Sequence, residues 1–195
     1  MPLPLGAIGA TVLPNVGGWV GGVAVMKSYS GWYKAALATA IPNVGGILGA
    51  LGMRKEVAND SWYMTSLKKP SWTPPRGAFG PVWTMLYSSM GYASYLVWRD
   101  GGGFEGAALP LAAYGTQLAL NWAWTPIFFG CHSPKWGLVD ITLLSITAGA
   151  TSLLFFNVNQ TAGLMMIPYL GWLGVATSLN YWIYVNNRED DEKKD

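Results

Sequence analysis

Asp140 is the one acidic residue set well inside a long apolar run of this 195-residue sequence. A carboxylate in hydrocarbon is expensive, so it should face a protein interior and find a partner there. Tyr114, Gln117 and Asn121, on the preceding apolar run, are the candidate donors. Asn121 and Asp140 therefore read either as a polar anchor for a ligand group or proton, or as an interhelical hydrogen bond. The hydrogen bond suffices by itself, because a shielded aspartate need not touch a ligand. Around Asp140 the apolar residues are spaced for helices. Trp136, Val139, Asp140 and Leu143 fall at i, i+3, i+4 and i+7; Trp172, Ala176 and Leu179 at i, i+4 and i+7; Phe79, Val82 and Trp83 open a third such face. Three faces of this kind turned inward would enclose an aromatic and aliphatic slot, the usual lining for an apolar ligand. Taken alone, a tryptophan stripe is more often core or interface anchor than pocket.

Other chemistry is thinly represented. Cys131 and His132 are adjacent and could be imagined on haem iron, but the chain has one histidine and one cysteine, and an exposed lone histidine is usually just polar. There is no Ser-His-Asp set, no metal-ligating cluster and no phosphate-binding glycine loop. No catalytic residue, metal or cofactor is expected. Near the C-terminus, Leu179, Tyr184 and Arg188 satisfy a loose sterol pattern of leucine, tyrosine and basic residue. Apolar and aromatic side chains would lie along the sterol while the arginine meets its hydroxyl, although this pattern matches many helix ends by chance.

The elements that must position these residues follow from composition. Half of the residues are hydrophobic (51%) and only 11% are charged, with eleven Trp, 25 Gly and a mean hydropathy of +0.26. A soluble domain carries about 25% charged residues to keep its surface wetted. Apolar runs at approximately 5–26, 35–53, 78–98, 107–130, 136–156 and 162–185 are long enough to cross a bilayer, which takes roughly 20 residues. They lack period-two alternation, and an open sheet would face lipid with unpaired backbone groups. The expected fold is all-α, a polytopic membrane helix bundle. With the chain alternating sides, nine of the twelve Lys and Arg fall on one face and three (Lys27, Lys34 and Arg99) on the other. The positive-inside rule turns the nine-charge face and the C-terminus toward the cytosol. Residues 188–195 form a charged cytosolic tail that reads as a solvated end. A net charge of +2 is too small to imply a nucleic-acid partner, and no cleavable signal is evident at the N-terminus.

An internal repeat is present. Ala10-Thr-Val-Leu-Pro-Asn-Val-Gly-Gly18 recurs as Ala38-Thr-Ala-Ile-Pro-Asn-Val-Gly-Gly46, 28 residues on. The second copy leads into the rest of the chain, so residues 1–34 read as an extra N-terminal helix, or as the join of two alternative exons, and residues 35–187 as a five-helix ligand-binding bundle. Gly45 and Gly49, like Gly17 and Gly21, are small residues four apart, which lets helix backbones approach closely. That fits packing within the bundle, with a homodimer contact as the alternative.

Two stretches carry a resemblance. Lys69-Pro-Ser-Trp-Thr-Pro-Pro-Arg76 holds three prolines that forbid a helix and make a stiff loop, with Trp72 at the membrane surface. Gln117 to Gly130 (QLALNWAWTPIFFG) puts an amide pair and four aromatics on one helix. Both closely resemble the translocator protein family, also called the peripheral-type benzodiazepine receptor or tryptophan-rich sensory protein. The likeness continues through Trp136 to Asp140, Pro168 to Trp172 and Ala176 to Tyr181, and covers about residues 38–187. It implies five helices, a long cytosolic first loop and a lipophilic pocket closed by that loop. It also implies a place in the mitochondrial outer membrane and binding of cholesterol or another sterol, porphyrin or haem, and drug-like ligands. Phe79, Gly80, Val82, Trp136, Val139, Leu143, Trp172, Ala176 and Leu179 match the family's drug-pocket positions, and Ala50 and Met53 match on the first helix. The family's sterol motif lies where Leu179, Tyr181, Tyr184 and Arg188 stand. The expected tyrosine, Tyr181, is separated from Arg188 by six residues, one too many, so Tyr184 would substitute. The resulting reading is a membrane translocator or receptor-like protein, with a porphyrin-degrading enzyme or a ligand-modulated adaptor as alternatives.

Overall fold

The computed structural model describes residues 15–53, 55 and 61–188, with side chains from Gly31 onward. Among the described residues all the regular structure is helical and there is no strand. Helix α1 spans Asn15–Gly52, α2 Trp62–Thr65, α3 Arg76–Asp100, α4 Gly103–Gly106, α5 Ala108–Thr125, α6 Pro134–Val158, α7 Gln160–Met165 and α8 Ile167–Asn186; a π-helical turn, Pro126–Gly130, continues α5. Helix α1 packs on α3 and α5, α6 lies between α5 and α8, and α7 packs on α3. The chain is a polytopic membrane helix bundle. Gly31–Gly52, Pro134–Val158 and Gln160–Asn186 are each long and apolar enough to cross a bilayer.

The gap between the first two apolar runs, residues 27–34, is helical, and the boundary expected at residue 34 falls inside α1. Nothing in Lys27-Ser-Tyr-Ser-Gly-Trp-Tyr-Lys34 forbids a helix; polar side chains change where a helix can sit, not whether it forms. At about 1.5 Å per residue, 38 residues reach roughly 57 Å, well beyond a hydrocarbon core of about 30 Å. The first repeat copy begins within residues 1–14, outside the described residues.

Proline and glycine shape the contact between α1 and α3. Pro42, inside α1, has no N–H to give the carbonyl of Ala38. That carbonyl faces Gly91 of α3, where an added Cβ would come within 2.3 Å of the Ala38 oxygen. Close by, the Asn43 amide donates to the Thr39 carbonyl at 2.9 Å and to Ser88 Oγ at 3.1 Å. Of the glycines singled out on α1, Gly45 and Gly49 are used within the bundle. Gly45 lies against the Trp122 ring, Gly46 against Tyr87 and Gly49 against Thr125.

The other ends are set by caps. After Asp100, Gly102 and Gly103 take φ of 84° and 80°, a reversal that glycine allows at little cost. Ser133 caps α6 through Trp136 N, with Pro134 at the first helical position. Asn159 ends α6 and caps α7 through Ala162 N at 2.9 Å. The main core comes from Leu86, Met90 and Val97 of α3, Leu118 of α5, Ile141, Leu144 and Phe155 of α6, and Tyr169 and Leu173 of α8. Leu37, Ile41, Val44, Leu48 and Leu51 lie exposed along α1, an apolar stripe suited to lipid.

Candidate functional site

Rings from two helices meet inside the bundle. Phe79 and Trp83 of α3 stand edge-on to Trp172 of α8, with centroids 5.8 and 6.5 Å apart. Trp83 also contacts Tyr87 one turn further along at 5.3 Å and Tyr169 of α8 at 6.4 Å. The edge-to-face pairs among these, Phe79 and Trp83 on Trp172 and Trp83 on Tyr169, match the quadrupoles of the rings. Asn121 of α5 ties the far end of this group together, accepting from Tyr87 Oη at 2.7 Å and donating to Tyr169 Oη. Two polar atoms in the same region stay unpaired: Trp172 Nε1 and Asp140 Oδ2 are buried and make no hydrogen bond. Asp140 is only 6% exposed. An unpaired buried polar atom is costly and rare in a finished interior. The arrangement offers ring faces and edges for a flat apolar body, a donor at Trp172 and a carboxyl at Asp140.

One end of the bundle is covered by the segment after α1. Trp62 stacks on His132 at 4.6 Å and leans on Phe128 at 5.8 Å, while Tyr63 meets Phe129 at 5.3 Å. Beneath lie Phe128, Phe129, Leu179 and Ile183, a second buried cluster that Met53, Leu67, Trp124 and Trp182 also touch. The π-turn delivers Phe128 and Phe129 together into this cluster. Lys69 Nζ donates to the carbonyls of Tyr63 and Leu67 and lies over the Tyr63 ring. Desolvation, followed by repulsion from Arg76, lowers the pKa of this ammonium. Asn180 joins three helices, accepting from Trp124 Nε1 at 3.0 Å and donating to the Pro134 carbonyl at 2.9 Å.

The structure brings some expected residues together and separates others. Phe79, Val82, Trp172 and Ala176 gather around Trp83 and the main core. Leu179 and Met53 belong to the covered end. Ala50 and Gly80 are exposed. Trp136, Val139 and Leu143 also lie on an exposed stripe, Trp136 at 60%, while α6 buries Gly137, Asp140, Ile141 and Leu144. Helix α6 is apolar nearly all round, so spacing alone could not choose its inward face. Asp140 and Asn121 do not bond to each other, because Asn121 is committed to Tyr87 and Tyr169. Of the sterol pattern, Leu179 is buried, whereas Tyr181, at 58% exposure, lies on one face of α8 with the half-buried Tyr184 at i+3, and Arg188 stands exposed just past the end of that helix. Tyr87, Tyr169 and Asn187 escaped the sequence reading. Tyr87 and Tyr169 were findable one turn from Trp83 and Trp172; nothing local marked Asn187.

These features define a polytopic helical membrane protein with a ring-lined interior and one covered end. The pattern of the TspO/MBR family matches residues 38–185, and the chain belongs to that family. It is 52% identical over 127 residues to the Translocator protein of Homo sapiens, covering 65% of this chain and 75% of that relative. The Translocator protein of Sus scrofa is 47% identical over 128 residues, with the same coverage. Similarity reaches Archaea: the Tryptophan-rich protein TspO of Archaeoglobus fulgidus is 40% identical over 127 residues, covering 65% of this chain and 80% of the relative.

Proposed function

We infer that this translocator-family membrane protein binds a flat lipophilic ligand, a porphyrin or a sterol, between its helices. The observation that carries this reading is the pairing of edge-to-face rings with unpaired polar atoms, Phe79, Trp83 and Trp172 beside Trp172 Nε1 and Asp140 Oδ2. Unpaired buried polar atoms are uncommon in a finished interior, and rings with a few polar groups are the usual lining of a ligand pocket. The family's animal setting and the nine-to-three split of cations support a place in the mitochondrial outer membrane, C-terminus to the cytosol. Sterol contact then belongs to Tyr181 and Tyr184, with Arg188 just past the helix end and Leu179 packed inward.

The test is titration of the purified chain with protoporphyrin IX, followed by tryptophan quenching and porphyrin absorbance. Micromolar binding is expected, weakened at least tenfold by Trp172→Ala or Trp83→Ala, about 1.4 kcal/mol or more. Trp136→Ala should change it less than about threefold, roughly 0.65 kcal/mol. Labelling by a photoactivatable cholesterol at Tyr181 should survive the Trp172 change. Binding indifferent to both Trp83 and Trp172 would sink this reading.

A further inference from the structure

We propose that Asn187 is a latch holding the segment from Trp62 to Pro70 over the end of the bundle, and that it sets how fast a ligand enters and leaves. The gating half of this proposal rests on the ligand binding inferred above; the latch itself does not. Asn187 follows the last residue of α8, where a side chain would ordinarily be solvated, yet it is only 4% exposed. Its amide pairs with both backbone groups of one residue. Oδ1 accepts from Lys68 N at 3.0 Å, and Nδ2 donates to Lys68 O at 3.1 Å and to the Ile183 carbonyl at 2.7 Å. The contact is made to the backbone of Lys68, whose side chain is exposed.

The placement gives this bond leverage. Leu179, Ile183 and Asn187 recur every four residues and so share one face of α8. Leu179 and Ile183 supply the floor on which Trp62, Tyr63 and Leu67 rest, and Asn187 adds a polar grip on the segment above through the backbone of Lys68. A loop laid over a bundle end must satisfy its backbone groups once water is excluded. Asn187 does so for Lys68 while the rings supply unspecific contact area. Without the amide the rings would still hold the segment down on average, but its opening would become frequent. The expected phenotype is therefore kinetic, faster exchange of ligand at nearly constant affinity, as for other covering loops whose opening limits release.

The experiment uses the full chain in lipid nanodiscs, comparing wild type with Asn187→Ala, Asn187→Asp and Asn186→Ala. Asn187→Asp keeps the acceptor for Lys68 N and loses the donor. Asn186 is exposed and its amide reaches only the Trp182 carbonyl. Hydrogen exchange of ligand-free protein should speed at least tenfold at Lys68 in Asn187→Ala, less in Asn187→Asp, and not at all in Asn186→Ala or at Ile141 to Ala148 of α6. Stopped-flow mixing with protoporphyrin IX should show association and dissociation rates both raised at least fivefold, with affinity changed less than about threefold. Should Asn187→Ala fail to fold, Asn187→Asp carries the same comparison. Unchanged exchange at Lys68 would overturn the latch, and faster exchange with unchanged porphyrin rates would overturn the gating. A wild type that binds no porphyrin would sink the binding reading and the gating with it, while the exchange result would still judge the latch.

Discussion

At Gly91 two backbones meet because one residue lacks a side chain and another lacks an N–H. Pro42 frees the Ala38 carbonyl, and Gly91 leaves room for it. Both partners are main chain, so Gly91→Ala has no flexible neighbour to push aside. It should cost about 1–3 kcal/mol, as overpacking does. Gly115, in the middle of α5, has nothing within 4 Å of an added Cβ. Gly115→Ala should gain about 0.5–1 kcal/mol from helix propensity. Thermal unfolding in one detergent would measure both, and equal midpoints would refute the close approach. At this scale the sequence was partly legible. Spacing marked Phe79, Val82, Trp172 and Ala176, which do come together. It could not rotate α6, because Trp136 and Asp140 are four residues apart and both suit an interior by type, yet one is exposed and the other buried. Nor could it see that Asn121 would serve two tyrosines in place of Asp140, since three donors and acceptors in reach of one another can pair in several ways.

Elements are joined at the end opposite the covered one by a small polar knot. Asp100, at the exposed end of α3, receives Arg99 Nε at 2.6 Å and Asn159 Nδ2 at 2.6 Å, so α3 is tied to the junction of α6 and α7. Those two hydrogen bonds, Arg99 first, hold its carboxyl at about 2, well below the usual range. The folded state therefore keeps this group ionised more readily than an unfolded chain would. The stabilisation is fully present above the ordinary value of about 4 and is lost as pH falls from there toward about 2. Solvent around an exposed pair keeps the gain small. Carboxyl-carbon NMR should find the Asp100 titration depressed in wild type and moved upward in Asn159→Ala; an ordinary value in wild type would refute the knot. Element positions were largely readable, because long apolar runs and Pro, Gly, Ser and Asn punctuation act locally. Residues 27–34 continue α1 because polar side chains do not by themselves break a helix, and the π-turn has no sequence sign beyond Pro126.

For the whole molecule, the hydrogen bonds and ring contacts sort the charges by end. Lys68 is bonded to Asn187, and Gly137 lies against Asn180, so the loop after α1, the start of α6 and the end of α8 share one end. Lys34 lies 4.4 Å over Trp98, and Asp100 meets Asn159, so the start of the α1 span, the end of α3 and the end of α6 share the other. Among the residues whose side chains are described, Lys55, Lys68, Lys69, Arg76, Lys135 and Arg188 stand at the first end, and Lys34 and Arg99, with Asp100 and Glu105, at the second. The translocation machinery retains cations on the cytosolic side, so the covered end should face the cytosol. The chain's single cysteine makes this measurable, because Cys131 is exposed and sits at that end. A maleimide too bulky for the membrane or its pores, added from the cytosolic side of intact membranes, should label Cys131. In a chain carrying Cys131→Ser with Glu105→Cys, the same reagent should label only after detergent. The reverse pattern would place the latch, the ring-lined interior's covered end and the C-terminus on the far side of the membrane, and a lipophilic guest would then have to arrive from there.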